Sequence, residues 1–153
     1  MPEMVLKPIG IVRSEVKDPA RRDWQEVVSE IMVDPGLEEC LDGLEEFSHI
    51  MVVYWMHRAP SRVQLQGKLH PRGRADPPLV GLFATRSPHR PNPLGVSVAK
   101  LLERKGQVLK VEGLDAIDGT PVIDIKPYMP PRSVSPEELH MPDWVQRLSE
   151  RDH

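Results

Sequence analysis

A small all-β domain, barrel or sandwich, is the fold class this sequence predicts, and three observations predict it. Apolar runs of strand length recur about seven times, each ended by turn residues. Seventeen prolines among 153 residues cluster between those runs, at strand ends and connections where proline is tolerated. Helical spacing is confined to one short early segment and to the C-terminus.

Leu6 to Arg13 reads as the first strand, and Gly10 inside it predicts a bulge or a close backbone approach. Val27 to Val33 alternates as a second. Pro35 to Leu44 is expected as a short helix, with Asp34 as N-cap, Pro35 at the first position and Gly43 at its end. Ser48 to His57 contains the apolar run Ile50 to Met56, expected as a central strand covered on both faces. Arg58 to Asp76 has no periodicity, and long connections in compact domains tend to carry function. Leu79 to Thr85 is expected as a strand delivering the loop after it. Val96 to Leu102, Val108 to Leu114 and Val122 to Ile125 complete the sheet, with hairpin turns at Lys105-Gly106-Gln107 and Asp118-Gly119. Pro136 to Arg151 is expected as a terminal helix capped by Ser135 and broken near Pro142, with Trp144 and Leu148 on its packing face.

The length suits one domain that buries its core without metal or disulfide, and the single Cys40 excludes an intrachain bridge. No apolar run is long enough to span a membrane and the N-terminus has no signal-peptide pattern, so a cytoplasmic protein is expected. The net charge of -3 hides an asymmetry. From His57 to Pro91 seven Arg and Lys stand against one acid, Asp76, whereas Asp23 to Glu46 holds nine acids and no Lys or Arg. A basic block in an acidic chain suits a polyanion held against one face.

That block runs into Phe83-Ala84-Thr85-Arg86-Ser87-Pro88-His89-Arg90-Pro91-Asn92-Pro93. Its three X-Pro pairs exclude helix and stiffen the backbone, which holds Arg86, His89, Arg90 and Asn92 in place before any ligand arrives. Fixing two guanidinium forks in advance lowers the ordering cost of gripping an anion. A second polar segment, Leu114 to Tyr128, gathers Asp118, Thr120, Asp124 and Tyr128 as acceptors around a turn. Neither Gly-x-Gly-x-x-Gly nor a P-loop occurs. The six histidines lack the paired spacing of a zinc site, so no metal is expected.

Together with Ile9 to Ser14, Leu44 to Ile50 and Trp55-Met56-His57, the motifs Phe83 to Gly95, Asp118-Gly119-Thr120-Pro121 and Asp124 to Tyr128 resemble the TrmO, or TsaA-like, family. The resemblance covers roughly Leu6 to Pro130. It implies a small, mainly antiparallel β-barrel of about seven strands with one short helix and a C-terminal helical segment. It also implies methyl transfer from S-adenosylmethionine (SAM) to N6 of threonylcarbamoyl-adenosine beside the tRNA anticodon, by a homodimer that binds SAM near its interface. On this view residues 1–131 are the methyltransferase barrel and residues 132–153 a helical tail packed on it. Many bacterial relatives carry a further C-terminal domain, so a chain ending at His153 is expected to be a short form.

SAM needs a cation for its carboxylate, an acid for its ammonium and acceptors for its ribose and adenine. Arg86 or Arg90 would serve the first, and Asp118 the ammonium or ribose. The matching motifs extend the expected cofactor set to Phe83, Thr85, Ser87, His89, Asn92, Leu94, Thr120 and Pro121. A protonated ureido nitrogen is a poor nucleophile, so a base is expected, with Asp124, Asp118, His57 and His89 the candidates in that order. Arg13, Arg58, Arg72, Arg74, Lys126 and Tyr128 are the expected RNA contacts. The competing readings are methyl transfer to a small-molecule acceptor and a non-catalytic RNA-binding barrel. Only seven Phe, Trp and Tyr residues are present to form a stacking platform for the latter.

Overall fold

The computed structural model describes residues 1–20, 23–59, 67–73, 77–130 and 134–151. In chain order its strands are β1 (Gly10–Arg13), β2 (Val28–Val33), β3 (His49–Trp55), β4 (Lys68–Leu69), β5 (Val80–Gly81), β6 (Leu94–Lys105), β7 (Val108–Glu112) and β8 (Pro121–Pro127), followed by the helix α1 (Asp143–Arg151). The chain divides into two compact units, one of Met1–Arg58 with Leu94–Tyr128, the other of Ala59–Pro93 with Met129–His153.

In the first unit six antiparallel strands close in the order β1-β2-β7-β6-β3-β8, and β8 returns to β1 through Gly10↔Val122 and Ile11↔Pro121. Closure removes the unpaired edges that an open sheet of short strands would expose. The inward positions form one core in which Val12, Ile31, Ile50, Val52, Leu109 and Val122 are each exposed by 1% or less. At Gly10 β1 approaches β2 too closely for a side chain, because a Cβ there would stand 2.5 Å from the Met32 carbonyl oxygen. A smaller cluster, Val16, Trp24, Val27 and Ile117, is buried separately from this core.

The all-β barrel is as expected, with six strands in the barrel and two more in a separate ribbon. Several elements differ from their expected form. Residues Pro35–Leu41 make a 3₁₀ helix, opened by Pro35 and by the Asp34 carboxylate accepting the Gly36 N–H at 2.9 Å. β3 is covered on one face only, since its residues alternate between buried and partly exposed along its length. In a closed barrel the inner face alone meets the core, so an apolar outer face stays uncovered. The Asp118-Gly119 turn does not join neighbouring strands, because β7 pairs with β2 and β6 whereas β8 pairs with β1 and β3. The expected hairpin is instead a connection across one end of the barrel, hydrogen-bonded to β1 and the residues after it.

In the second unit β4 and β5 form a two-stranded ribbon. The expected strand Leu79 to Thr85 is reduced to β5, because Thr85 closes a 3₁₀ turn over Leu82–Ala84. Its backbone N–H and its hydroxyl both donate to the Leu82 carbonyl, at 3.1 and 2.7 Å. Arg72, with φ of 56°, donates to the Leu148 carbonyl at 3.2 Å and ties α1 to the Pro71–Gly73 turn. The helix starts after Pro142, and Ser135 heads a separate turn through the Glu138 N–H.

Candidate functional site

The polar residues of the first unit gather around the Asp118 turn. Asp118 Oδ1 accepts the Ser14 N–H at 2.9 Å, and the N–H groups of Asp118 and Gly119 donate to the carbonyls of Val16 and Val12, each at 2.8 Å. These bonds are available because Gly119 adopts φ of 83°, a left-handed geometry that side chains with a Cβ disfavour. Thr120 is 2% exposed, and its hydroxyl donates to the Ile117 carbonyl at 2.7 Å. One Asp118 oxygen thus fastens the turn, and the Thr120 side chain faces the interior.

His57 lies beside this turn. A Cβ at Gly119 would be 3.9 Å from His57 Nε2, and His57 Nδ1 is buried without a hydrogen-bond partner among the described residues. A buried ring nitrogen that lacks a partner is costly unless something else, such as water or a ligand, supplies one. Asp124 stands on β8 opposite Val53, and its register shifts at the next pair, where Tyr54 faces Val122. This bulge lets Val122 and Ile125 both pack toward the core although three residues apart, and it leaves Asp124 on the outer wall. There Asp124 Oδ2 meets Lys126 Nζ at 3.0 Å, and Oδ1 accepts the Ile125 N–H at 2.9 Å. Tyr128 is exposed just past β8, its N–H donating to the His49 carbonyl at 3.0 Å.

Arg13, on the outer face of β1, belongs to a row in which charge alternates from strand to strand. It pairs in register with Glu30 of β2, Glu30 with Lys110 of β7, and Lys110 with Glu103 of β6. Such cross-strand neighbours of opposite sign stabilise a sheet by roughly 0.2–1 kcal/mol per pair. Arg58 reaches the Lys17 carbonyl at 3.4 Å. Leu94 opens β6 opposite Trp55, on an outer wall where Val53 faces Val96 and Met51 faces Val98. Val96 is 57% exposed and Trp55 44%, and with the exposed Leu94 and Val98 and the half-buried Met51 and Val53 they line an apolar surface. The signal for it is present in β6, where Val96 and Val98 alternate with Ser97 and Ala99 so that neither face is polar.

In the second unit the Phe83–Asn92 loop is held by its own polar groups. Thr85 Oγ1 accepts the Ser87 N–H and Ser87 Oγ accepts the His89 N–H, both at 3.2 Å. Arg90 Nη1 donates to the carbonyls of Thr85 and Ser87, each at 3.0 Å, and its guanidinium lies 5.9 Å from the centre of the exposed Phe83 ring. Arg86, His89 and Asn92 point no side-chain hydrogen bond at any described residue and are exposed. Arg72, expected on the substrate side, is engaged by Leu148, and Arg74 lies outside the described residues.

Each unit, taken by itself, holds a group of a kind that SAM needs. The second unit offers Arg86, a cation without a partner among the described residues, on a backbone already ordered. In the first unit Asp118 keeps its second carboxylate oxygen free of the hydrogen bond that fastens the turn. Among the described residues no three His, Cys, Asp or Glu side chains are grouped to hold a metal ion, and no helix is long and apolar enough to cross a membrane.

Comparison with known proteins agrees with the barrel. Residues 14–132 match the tRNA-methyltransferase O N-terminal domain. A probable S-adenosyl-L-methionine-binding protein from Methanothermobacter thermautotrophicus is 46% identical over 130 residues, which is 82% of this chain and 90% of that protein. The mouse tRNA (adenine(37)-N6)-methyltransferase is 43% identical over 97 residues, 60% of this chain and 21% of that protein. The crystal structure of TrmO from Pseudomonas aeruginosa superposes with a TM-score of 0.69 at 31% identity, covering 88% of this chain and 60% of that one. The chain thus spans most of the archaeal relative but under two thirds of the bacterial structure. By the match over residues 14–132 and the shared barrel, it belongs to the tRNA-methyltransferase O N-terminal domain family.

Proposed function

We propose that the chain is a SAM-dependent methyltransferase that acts in the cytoplasm, as a homodimer, on N6 of threonylcarbamoyl-adenosine in tRNA. The observation that carries the reading is the Phe83–Asn92 loop, ordered by its own hydrogen bonds and presenting an exposed cation, in a family named for tRNA methyl transfer. The names of the relatives support both halves of it, SAM binding for the archaeal protein and transfer to adenine 37 N6 of tRNA for the mouse one.

SAM, when bound, supplies an electrophilic methyl group whose transfer is an in-line displacement. The chain's own contribution is then to position the partners and exclude water. In the second unit Phe83, Thr85, Arg86, Ser87, His89, Arg90 and Asn92 are assigned to cofactor binding. In the first unit Leu94, Asp118, Thr120 and Pro121 are, Thr120 by holding the turn in shape, because its hydroxyl and N–H are both bonded to the Ile117 carbonyl. Proton removal from the acceptor nitrogen falls to Asp124, Asp118 or His57. His57 has a ring nitrogen without a partner among the described residues, Asp118 one oxygen beyond the turn, and Asp124 an oxygen shared with Lys126. Arg13, Arg58, Lys126 and Tyr128 are the proposed RNA contacts of the first unit; Arg72 and Arg74 are those of the second.

The test is transfer of labelled methyl from SAM to tRNA from cells that make threonylcarbamoyl-adenosine but lack the methylase, with nucleoside analysis of the product. Label on N6 of that nucleoside is the expected result. Folded protein that binds SAM and leaves this tRNA unlabelled would overturn the acceptor.

A further inference from the structure

We infer that the two arginines of the Phe83–Asn92 loop have separate roles, Arg90 building the loop and Arg86 alone meeting a ligand carboxylate. The inference rests on the SAM reading above for the identity of that carboxylate. The two carbonyls that Arg90 gathers belong to Thr85 and Ser87, the residues on either side of Arg86. One planar guanidinium nitrogen bonded to both ties the Thr85–Arg86 peptide to the Ser87–Pro88 peptide and so brackets Arg86, and the Phe83 ring beneath it limits how the fork can turn.

Other groups of the loop, though not the exposed His89 and Asn92 side chains, are also bonded within it. Thr85 links Leu82 to Ser87, Ser87 Oγ takes the His89 N–H, and the Arg90 N–H donates to the Pro88 carbonyl at 2.9 Å. Arg90 is half-buried in this network, whereas Arg86 is exposed and makes no hydrogen bond or ion pair with any described residue. A loop whose backbone is held by Thr85, Ser87 and Arg90, with proline after Ser87 and after Arg90, leaves the Arg86 cation pre-positioned for an anion. Its ordering cost is met during folding and does not weaken binding. Lysine cannot replace Arg90 here, because an ammonium on a flexible stem has no planar fork to lie over Phe83 while bonding both carbonyls.

The experiment compares SAM with its decarboxylated analogue by calorimetric titration, in the wild type, Arg86→Ala and Arg90→Lys. Amide hydrogen exchange at Ser87 and His89 is measured without ligand in the same three proteins. The wild type is expected to prefer SAM by roughly 10- to 100-fold, the range of one charge-assisted hydrogen bond. Arg86→Ala should erase that preference and leave affinity for the decarboxylated compound within about twofold, with amide exchange unchanged. Arg90→Lys should weaken both compounds by a similar factor, keep the preference, and speed exchange at both amides. The inference is overturned if Arg90→Lys erases the preference while Arg86→Ala keeps it, or if Arg90→Lys leaves exchange unchanged. A folded wild type that binds neither compound sinks the SAM reading and the role of Arg86 with it. The exchange result then still decides whether Arg90 orders the loop.

Discussion

At the scale of single residues, the site is legible where side-chain chemistry is local and obscure where it depends on a distant backbone. Asp118, His57 and the two loop arginines stand out from their types and their proline and glycine neighbours alone. That Arg90 faces inward onto two carbonyls while Arg86 faces no described protein group follows from the folded loop, as does the use of Asp118 Oδ1 by Ser14, 104 residues away in sequence. Gly95 is a comparable case. A Cβ there would stand 2.5 Å from the buried Tyr54 ring, which lies across the start of β6. Gly95→Ala is therefore expected to destabilise the barrel by about 1–3 kcal/mol, the usual range for overpacking a filled core. Urea denaturation of the two proteins measures it, and a smaller aliphatic side chain at Tyr54 should recover part of the loss in the Gly95→Ala background.

At the scale of elements, strand positions followed from apolar runs, but strand ends and pairing did not. β6 runs through Lys105 to a two-residue turn where the expected strand stopped at Leu102, because Arg104 is held from across the barrel wall. Its guanidinium bonds Asp42 at 3.0 Å, Glu45 at 3.2 Å and the carbonyls of Glu38 and Gly106, joining β6 to the 3₁₀ segments Pro35–Leu41 and Leu44–Glu46. The Glu45 carboxyl is held below its ordinary pKa, first by a hydrogen bond from its own backbone and then by Arg104, and Arg104 is held above its own, chiefly by Asp42. A lowered carboxyl pKa stabilises the fold above the unfolded value and loses that contribution as pH falls through the folded value. Arg104 itself stays protonated throughout the acid range, since its raised pKa matters only at strongly alkaline pH, so the acid dependence argued here belongs to Glu45. Thermal melts from neutral pH down through the carboxylate range should therefore fall more steeply for the wild type than for Glu45→Gln. The difference should be small, because the Glu45 side chain is 52% exposed and solvent screens it. Equal slopes would remove Glu45 from the acid response.

At the scale of the whole molecule, the barrel leaves an apolar wall on β3 and β6, where Met51, Val53, Trp55, Leu94, Val96 and Val98 meet in register. Contiguous exposed apolar surface of this kind marks an interaction site, and the proposed homodimer is the occupant it suits, because an isologous contact places each wall against its own copy. Val96→Glu should convert a dimer to a monomer by light scattering at micromolar concentration while keeping the circular dichroism of the barrel. A wild type that is monomeric under those conditions would end the dimer proposal. The sequence by itself determined the fold class, the strand-forming runs, the stiff basic loop and the family, because alternation, proline placement and side-chain chemistry are local properties of the chain. Only the tertiary structure decided that six strands close in the order β1-β2-β7-β6-β3-β8, that Asp118-Gly119 crosses a barrel end, and that a bulge turns Asp124 outward. Those outcomes depend on which strands pair and in what register, and pairing is set by contacts between residues far apart in sequence that no local pattern records.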